Sequence, residues 1–263
     1  YEIASCLVGS EMCIRDRDIN VVVEKIDAWL KKIKDEVYGR TTKSLSKVEE
    51  LSEEPGPIGV QLFDHRPHSM ADAARRAEAA GAYLIDINMG CPVRKIARKG
   101  GGSGLIQDPD LARRIVSAVA DAVQIPVTVK TRLGWCGSDA DPVTWCRQLE
   151  DAGAQLLTLH GRTREQRFKG NADWGAIAAV KQALTIPLIA NGDIKTPNDA
   201  LRCLQQTGAA GVMVGRGTMG APWLVGQIDA ALAGRAIPST PNPTARLAPV
   251  SYTHLTLPTI LLV

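Results

Sequence analysis

The residue with the clearest chemical potential is Cys91, in the segment DINMGCPVRKIARKGGGSGL (86–105). It follows a short apolar run and precedes a proline, so its thiol is expected in a loop at the end of a buried strand. A thiol there is a candidate acid beside a substrate carbon. A single cysteine is more often a buried structural residue, but Asn88 and Gly90 just before it favour the catalytic interpretation.

A basic, glycine-rich stretch follows Cys91. Its four cations are Arg94, Lys95, Arg98 and Lys99. Cations grouped beside a pocket suit contacts with nucleic-acid phosphates, and a solvated basic loop is the alternative. The net charge of +3 permits a nucleic-acid partner without requiring one.

Two polar residues stand at the ends of further apolar runs. Lys130 lies inside PVTVKTR, where a lysine is costly unless it faces a polar opening in which it can stabilise negative charge. A lysine that reaches out to water is the alternative. His160 ends the next run, where it either donates to a bound group or serves as a structural histidine.

Glycine-containing turns end the last two apolar runs. They are Asn191-Gly192-Asp193 and Gly215-Arg216-Gly217. Backbone N–H groups at such turns bind phosphate, and an arginine adds a charged fork. Turns that are tight for structural reasons alone are the alternative. His65 and His68 lack further ligands nearby, and the six cysteines form no C-x-x-C pair, so no metal site is predicted.

The elements that must position these residues repeat regularly between residues 57 and 234. Six short apolar runs alternate with six helical patterns, and most of the helical patterns begin near Asp, Ser or Thr with a proline close by. The runs are continuously apolar, which is typical of parallel strands covered on both faces. They occupy residues 57–63, 82–89, 126–132, 154–161, 186–193 and 209–217.

Polar or glycine residues follow nearly every predicted strand, starting with Gln61 on the first. In a barrel all of these strand ends meet at one opening, whereas an open doubly wound sheet uses only its switch point. No G-x-G-x-x-G follows the first strand. The pattern therefore predicts an α/β fold, an incomplete (β/α)₈ TIM barrel with six of eight units, and the open sheet is the alternative.

The segments outside this repeat are assigned separately. Residues 1–17 and the tail of 236–263, which follows a Pro/Thr-rich linker, resemble translated vector sequence, and 55–235 is the partial barrel domain. Residues 18–54, with an amphipathic helix over 20–38, stand where the first barrel strands are expected. No secretory signal and no apolar run of about 20 residues is present, which predicts a cytoplasmic protein without a membrane span.

Taken together, the motifs GVQLFD, DINMGCPVRKI, VKTRLGW, TLHGRTR, IANGDI and MVGRGTMGAPW resemble the tRNA-dihydrouridine synthases, particularly the bacterial ones. The likeness runs from about Val48 to Gly234. It implies a TIM barrel in which FMN lies across the opening and is reduced by NADPH. The reduced flavin then passes hydride to C6 of a tRNA uridine that has left its stack.

The resemblance also implies roles for individual residues. Cys91 matches the donor of a proton to uracil C5, and Asn88 matches the residue that holds the uracil edge. Flavin contacts fall on Gln61, Lys130 and His160, with the phosphate and ribitol near Asn191, Gly192, Asp193, Gly215 and Arg216. The four cations after Cys91 would lie near tRNA.

The sequence departs from the family at both ends. The P-M-x-G motif of the family's first strand and the T-E-M-like end of its second are missing, and the helical domain that grips tRNA would begin near Pro238. Two alternatives therefore stand beside a tRNA enzyme: a reductase or dehydrogenase of free pyrimidines, like the dihydroorotate dehydrogenases, and an inactive chimeric fragment.

Overall fold

The computed structural model describes residues 57–93, 97–137 and 140–242, together with the backbone of 260–262. Six parallel strands lie side by side in chain order. They are β1 (Gly59–Leu62), β2 (Leu84–Asn88), β3 (Val127–Arg132), β4 (Leu156–His160), β5 (Leu188–Asn191) and β6 (Gly211–Met213). A short strand β7 (Ile260–Leu262) pairs antiparallel with β6.

Within the described residues, each parallel strand is followed by a helix that leads towards the next strand. The helices are α1 (Pro67–Ala79), α2 (Pro109–Ala120), α3 (Pro142–Asp151), α4 (Trp174–Ala183), α5 (Pro197–Thr207) and α6 (Leu224–Leu232). Single 3₁₀ segments at Gly102–Gln107 and Arg216–Thr218 precede α2 and α6. The described residues therefore contain six strand–helix units, as the sequence pattern predicts.

The helix starts follow from their capping residues. Asp108, Asp141, Asp173 and Thr196 each accept a hydrogen bond from a backbone N–H three residues later. Such a cap satisfies one of the unpaired N–H groups at a helix start and contributes about 1 kcal/mol. Each cap fixes where its helix leaves the preceding loop, and thereby where that loop stands above the strand ends.

The strand order distinguishes the barrel from the open sheet. A doubly wound sheet reverses its order at a switch point, whereas the six described parallel strands run in sequence without reversal. The prediction of a TIM-barrel type of α/β fold with six recognisable units is confirmed for the described residues. The predicted helix over 20–38 and the segments 1–17 and 18–54 lie outside the described residues, as does all of the tail beyond 242 except 260–262.

The two faces of the sheet differ in character. Apolar residues such as Ile87 and Val129 pack into one core with the helices. At alternating positions the opposite face carries polar side chains, for example Asp86 and Thr128, which bond to each other across β2 and β3. No helix within the described ranges is long and apolar enough to cross a membrane.

Candidate active site

A cleft of about 910 Å³ opens where the carboxyl ends of all six parallel strands meet. This volume is typical of a site for a cofactor or small ligand. Ten residues predicted from the sequence line it: Gln61, Asn88, Cys91, Lys130, His160, Asn191, Gly192, Asp193, Gly215 and Arg216. The assembly of these side chains around one opening is as predicted, while their individual roles stay predictions.

The described part of the predicted basic loop lies outside this lining. Arg98 and Lys99 are exposed to solvent and do not line the cleft. Arg94 and Lys95 fall outside the described residues. Among the described residues, no group of three or more His, Cys, Asp or Glu is arranged to hold a metal ion.

The loop that carries Cys91 is held on both sides. The Oδ1 atom of Asn88 accepts hydrogen bonds from the N–H groups of Gly90 and Cys91, both at 3.0 Å. The carbonyl of Cys91 accepts from the Ser103 hydroxyl at 2.7 Å and from the Ser103 N–H at 3.2 Å. These contacts fix the Cys91 backbone, while its partly exposed side chain lines the cleft.

A buried polar network lies beneath this loop. Asn88 Nδ2 donates to Gln61 Oε1 at 2.8 Å, and Gln61 Nε2 donates to Asp86 Oδ2. Thr128 donates its hydroxyl to Asp86 Oδ1 at 2.7 Å. Burial raises the pKa of Asp86 to about 6, although both hydrogen bonds and the charge of Lys130 act in the opposite direction.

Two cations stand at the end of β3. The ammonium of Lys130 lies 3.5 Å from Asn191 Oδ1. Arg132 is buried and donates to the carbonyls of Gly90 at 2.7 Å, Thr163 at 3.1 Å and Arg167 at 2.9 Å. Burial lowers the pKa of Arg132 to about 10, so it still carries its charge beside Cys91 at neutral pH.

His160 is uncharged at neutral pH. Burial, and then the positive charges of Arg132, Lys130 and Arg162, lower its pKa to about 3. The guanidinium of Arg162 can only donate, so the contact of 3.3 Å between Arg162 Nη1 and His160 Nε2 makes Nε2 the acceptor. By this inference the proton sits on Nδ1, which has no acceptor among the described residues.

Arg162 links the loops after β4 and β5. It is 1% exposed and donates to the carbonyls of Lys169 and Gly170 and to both oxygens of Asp193, at 2.7 and 2.8 Å. The N–H of Ala172 also reaches Asp193, at 2.6 Å. Burial acts to raise the pKa of Asp193, but these hydrogen bonds hold it below its ordinary value. Both oxygens of the Asp193 carboxylate are therefore occupied by hydrogen bonds from within the chain.

Glycines are required at two places near the last strands. Gly192 has φ +124°, and a Cβ there would lie 2.7 Å from the Cβ of Ala172. A Cβ on Gly217 would lie 2.5 Å from the carbonyl oxygen of Ile194. The two loops approach closely as a result, and the N–H groups of Gly215 and Arg216 have no acceptor within the described part of the chain.

The cleft residues that were not among the predicted site residues include Arg132, Arg162 and Phe168. Arg132 lies two positions after Lys130 on β3, so the alternation of the strand places both on the same face. Arg162 follows His160 just beyond the end of β4. Phe168 is 51% exposed, with Arg216 4.9 Å and Arg132 5.6 Å from its ring centre. A lone aromatic in a polar loop gives no periodic pattern that would reveal it.

Comparison with known proteins gives the family. A family model described as dihydrouridine synthase (Dus) matches residues 33–256. The "Probable tRNA-dihydrouridine synthase 1" of Synechocystis sp. is 56% identical over 187 residues, which cover 71% of this chain and 53% of that protein. The chain thus spans about half of the length of this relative.

Two further relatives agree with this match. The tRNA-dihydrouridine synthase B of Serratia marcescens is 43% identical over 248 residues, covering 92% of this chain and 74% of the relative. A "Probable tRNA-dihydrouridine synthase" of Rhodobacter capsulatus is 48% identical over 186 residues, or 71% of this chain and 57% of the relative. The cysteine loop, the polar strand ends and these matches together show that the chain belongs to the dihydrouridine synthase family.

Proposed function

We propose that this chain carries the catalytic site of a flavin-dependent tRNA-dihydrouridine synthase, which reduces uridine in tRNA to 5,6-dihydrouridine with FMN and NADPH. The observation that carries the proposal is the position of Cys91. Its loop is fixed by Asn88 at the cleft in which Lys130 and His160 also stand. The relatives named as tRNA-dihydrouridine synthases support the same reaction.

The residues present suit FMN. Lys130 and the protonated Nδ1 of neutral His160 offer a charge and a donor to the oxygen- and nitrogen-rich edge of the ring. The N–H groups of Gly215 and Arg216, with the Arg216 guanidinium, form a donor set for the phosphate. Gln61 is a further expected contact, although its amide is already bonded to Asp86 and Asn88.

Asn191, Gly192 and Asp193 are expected near the phosphate and ribitol, and each of them also orders a neighbouring part of the cleft. Asn191 donates to the carbonyl of Met213 at 2.9 Å and accepts from Lys130, so it holds the lysine in the cleft. Gly192 lets the loop after β5 pass close to Ala172. Asp193 holds Arg162, and through it His160. These residues would therefore shape the phosphate and ribitol region in part by ordering their neighbours.

When bound, the reduced flavin supplies the electron pair and hydrogen that add to uracil C6. The chain supplies the other half of the addition. The Cys91 thiol gives its proton to C5, so that the C5–C6 double bond becomes a single bond, and the thiol is restored by a proton from solvent. Arg132, which donates to the carbonyl of the neighbouring Gly90, would place a positive charge near the thiolate left behind.

Asn88 would hold the uracil during this step. Its Oδ1 is used by the Cys91 loop and one Nδ2 hydrogen by Gln61. The second Nδ2 hydrogen has no acceptor among the described residues, so it can donate to a uracil carbonyl. Because one side chain fixes the Cys91 backbone and also contacts the base, the acid and its target carbon are aligned by the same residue.

The polymeric substrate is favoured by the basic loop. Arg98 and Lys99 are exposed outside the cleft, and Arg94 and Lys95 precede them in sequence. Cations in such a place can contact the phosphates that flank an extruded nucleotide. A free pyrimidine has no flanking phosphates, so these cations would do nothing for it.

The test supplies the purified chain with FMN and NADPH and offers either unmodified tRNA or free uridine and uracil. We expect dihydrouridine in tRNA, measured by nucleoside mass spectrometry, with a rate that falls steeply as salt rises. Reduction of the free compounds alone would replace the proposal with a pyrimidine reductase. Reduction of neither, with flavin bound, would refute it.

A further inference from the structure

The polar network beneath the cleft connects a fully buried acid to the Cys91 backbone. Asp86 accepts from Gln61, Gln61 accepts from Asn88, and Asn88 accepts from the N–H groups of Gly90 and Cys91. Thr128 bonds the remaining oxygen of Asp86. We call the first three of these side chains the Asp86–Gln61–Asn88 network.

We propose that Asp86 is a positioning residue, which fixes the amide orientations of Gln61 and Asn88 and thereby holds the Cys91 loop at the cleft. The effect of Asp86 on catalysis rests on the proposed function. The effect of Asp86 on the geometry of the Cys91 loop does not rest on it, because every hydrogen bond of the network joins residues of the chain itself.

The direction of each hydrogen bond follows from the chemistry of a carboxylate. An ionised carboxylate can only accept, so Gln61 must turn Nε2 towards Asp86 and Oε1 towards Asn88. Asn88 must then offer Nδ2 to Gln61, which leaves its Oδ1 for the two N–H groups of the loop. Inverting either amide would bring two donors or two acceptors face to face in a buried site, which is strongly unfavourable.

The register of the sheet brings the network together. Gln61 on β1 is level with Asp86 on β2, and Asp86 is level with Thr128 on β3. Asn88 lies two residues beyond Asp86, so both side chains leave β2 on the same face. The three strands therefore hold the acid one layer below the residues that line the cleft.

Burial of this acid is unfavourable by itself. It raises the pKa of Asp86 to about 6, and the charged group that faces it is Lys130 on β3, while Gln61 and Thr128 face it with neutral groups. A neutral amide would fill the same space without the cost of burying a charge. A buried acid that costs stability and orients two amides is better explained by positioning than by packing.

The first experiment measures how fast iodoacetamide alkylates Cys91 in the flavin-free chain, with the Cys91 peptide quantified by mass spectrometry. The variant is Asp86→Asn, whose amide can present a donor or an acceptor to Gln61 and so no longer fixes its orientation. We expect the alkylation rate to change at least threefold. The matched control is Thr128→Val, which removes the other hydrogen bond of Asp86. Because that bond helps to lower the pKa of Asp86, all variants are alkylated in mildly alkaline buffer, so that a carboxylate still faces Gln61 and the control should stay within the error of the parent.

A second variant covers the case in which Asp86→Asn does not fold. Gln61→Met keeps a similar volume but cannot transmit hydrogen bonds, so it should change the alkylation of Cys91 in the same way. Combined with Asp86→Asn it should add nothing, because both substitutions interrupt the same network. Equal effects of Asp86→Asn and Thr128→Val, or additive effects of Asp86→Asn and Gln61→Met, would overturn the proposal.

Catalysis provides an independent readout. With flavin bound, Asp86→Asn should lower kcat for tRNA uridine about tenfold with little change in KM, since the group acts on the acid and not on RNA binding. Unchanged kcat and unchanged alkylation, in a parent that makes dihydrouridine, would refute the role of Asp86 and leave the proposed function intact. Changed alkylation in a parent that makes no dihydrouridine would refute the function and leave the positioning role intact.

Discussion

At the scale of single residues, the charge states around the cleft follow from burial and from the other charges nearby. His160 is surrounded by Arg132, Lys130 and Arg162, and it could become cationic only beside three existing cations. Arg132 remains charged because its guanidinium is satisfied by three carbonyls. The cleft thus combines a neutral donor with fixed positive charges, an arrangement suited to an electron-rich ligand.

The lowered pKa of His160 predicts a specific dependence of stability on pH. The unfolded chain protonates this histidine near its ordinary value of 6.5, whereas the folded chain resists protonation down to about 3. Its contribution to stability is therefore present above pH 6.5 and is lost as pH falls towards 3. Between about pH 7 and pH 5 this amounts to about 2 kcal/mol.

The variant His160→Gln should remove that loss. Denaturant unfolding at the two pH values should show a drop in the free energy of unfolding about 2 kcal/mol smaller for the variant than for the parent. The control is His68→Gln at an exposed histidine. It should show the same drop in the free energy of unfolding between the two pH values as the parent. Equal drops in His160→Gln and the parent would mean that His160 titrates normally in the folded chain.

At the scale of elements, the loops after β4 and β5 are held as one unit by Arg162. Its donors reach two carbonyls of the first loop and the carboxylate of Asp193 in the second. Arg162 is buried and the Asp193 side chain is 25% exposed, so removal of Arg162 leaves a partly buried carboxylate without its main partner, which is destabilising.

Arg162→Met should therefore lower the free energy of unfolding by about 3 kcal/mol. The control is Arg202→Met, which breaks an ion pair with Asp199 in which Arg202 is more than half exposed, and should cost less than about 1 kcal/mol. Urea denaturation of both variants measures the difference. Similar losses in the two would show that the Arg162 pair does not join the loops.

The glycine turn after β5 makes a second prediction at this scale. Gly192→Ala places a Cβ 2.7 Å from Ala172 at a φ of +124°, so it should destabilise the chain by about 2 kcal/mol or more. Gly226→Ala, inside α6 where a Cβ meets no atom within 4 Å, should instead stabilise it by about 0.5–1 kcal/mol. Thermal unfolding of the two variants should move in opposite directions, and a shift in the same direction would contradict the assigned geometry.

The sequence predicts the strands, the helices and most residues of the cleft. Other residues could not be predicted, and each has a physical reason. Gln61, Lys130, His160 and Asn191 were found because strand ends of parallel sheets converge, whatever the details of packing. The ion pair between Asp193 and Arg162 could not be predicted, because it depends on how the loops after β4 and β5 meet. The role of Asp86 could not be predicted either, because its partners lie 25 and 42 residues away along the chain. Only the register of β1, β2 and β3 brings them together.

At the scale of the whole molecule, the cleft is built from the ends of every described parallel strand, so a ligand that fills it would link several of them. A ligand that binds only the folded state stabilises it by mass action. FMN at a concentration of about 100 times its Kd should therefore add about 2.7 kcal/mol to the free energy of unfolding.

Thermal unfolding with and without FMN measures this effect. Riboflavin, which lacks the phosphate, should stabilise the chain less, because it cannot use the donors of Gly215 and Arg216. An equal shift with riboflavin would contradict the assignment of the phosphate to these residues. No shift with either compound would contradict a flavin site in the cleft.

Cys91 is the proposed proton donor in a flavin-dependent reduction of tRNA uridine. The most direct measurement is the amount of dihydrouridine formed in tRNA by Cys91→Ala, compared at equal flavin occupancy with Cys136→Ala, a partly exposed cysteine that does not line the cleft. Loss of a general acid should lower the rate about 100-fold or more, while Cys136→Ala should match the parent. Dihydrouridine formation by Cys91→Ala at the parent's rate would show that Cys91 is not the proton donor.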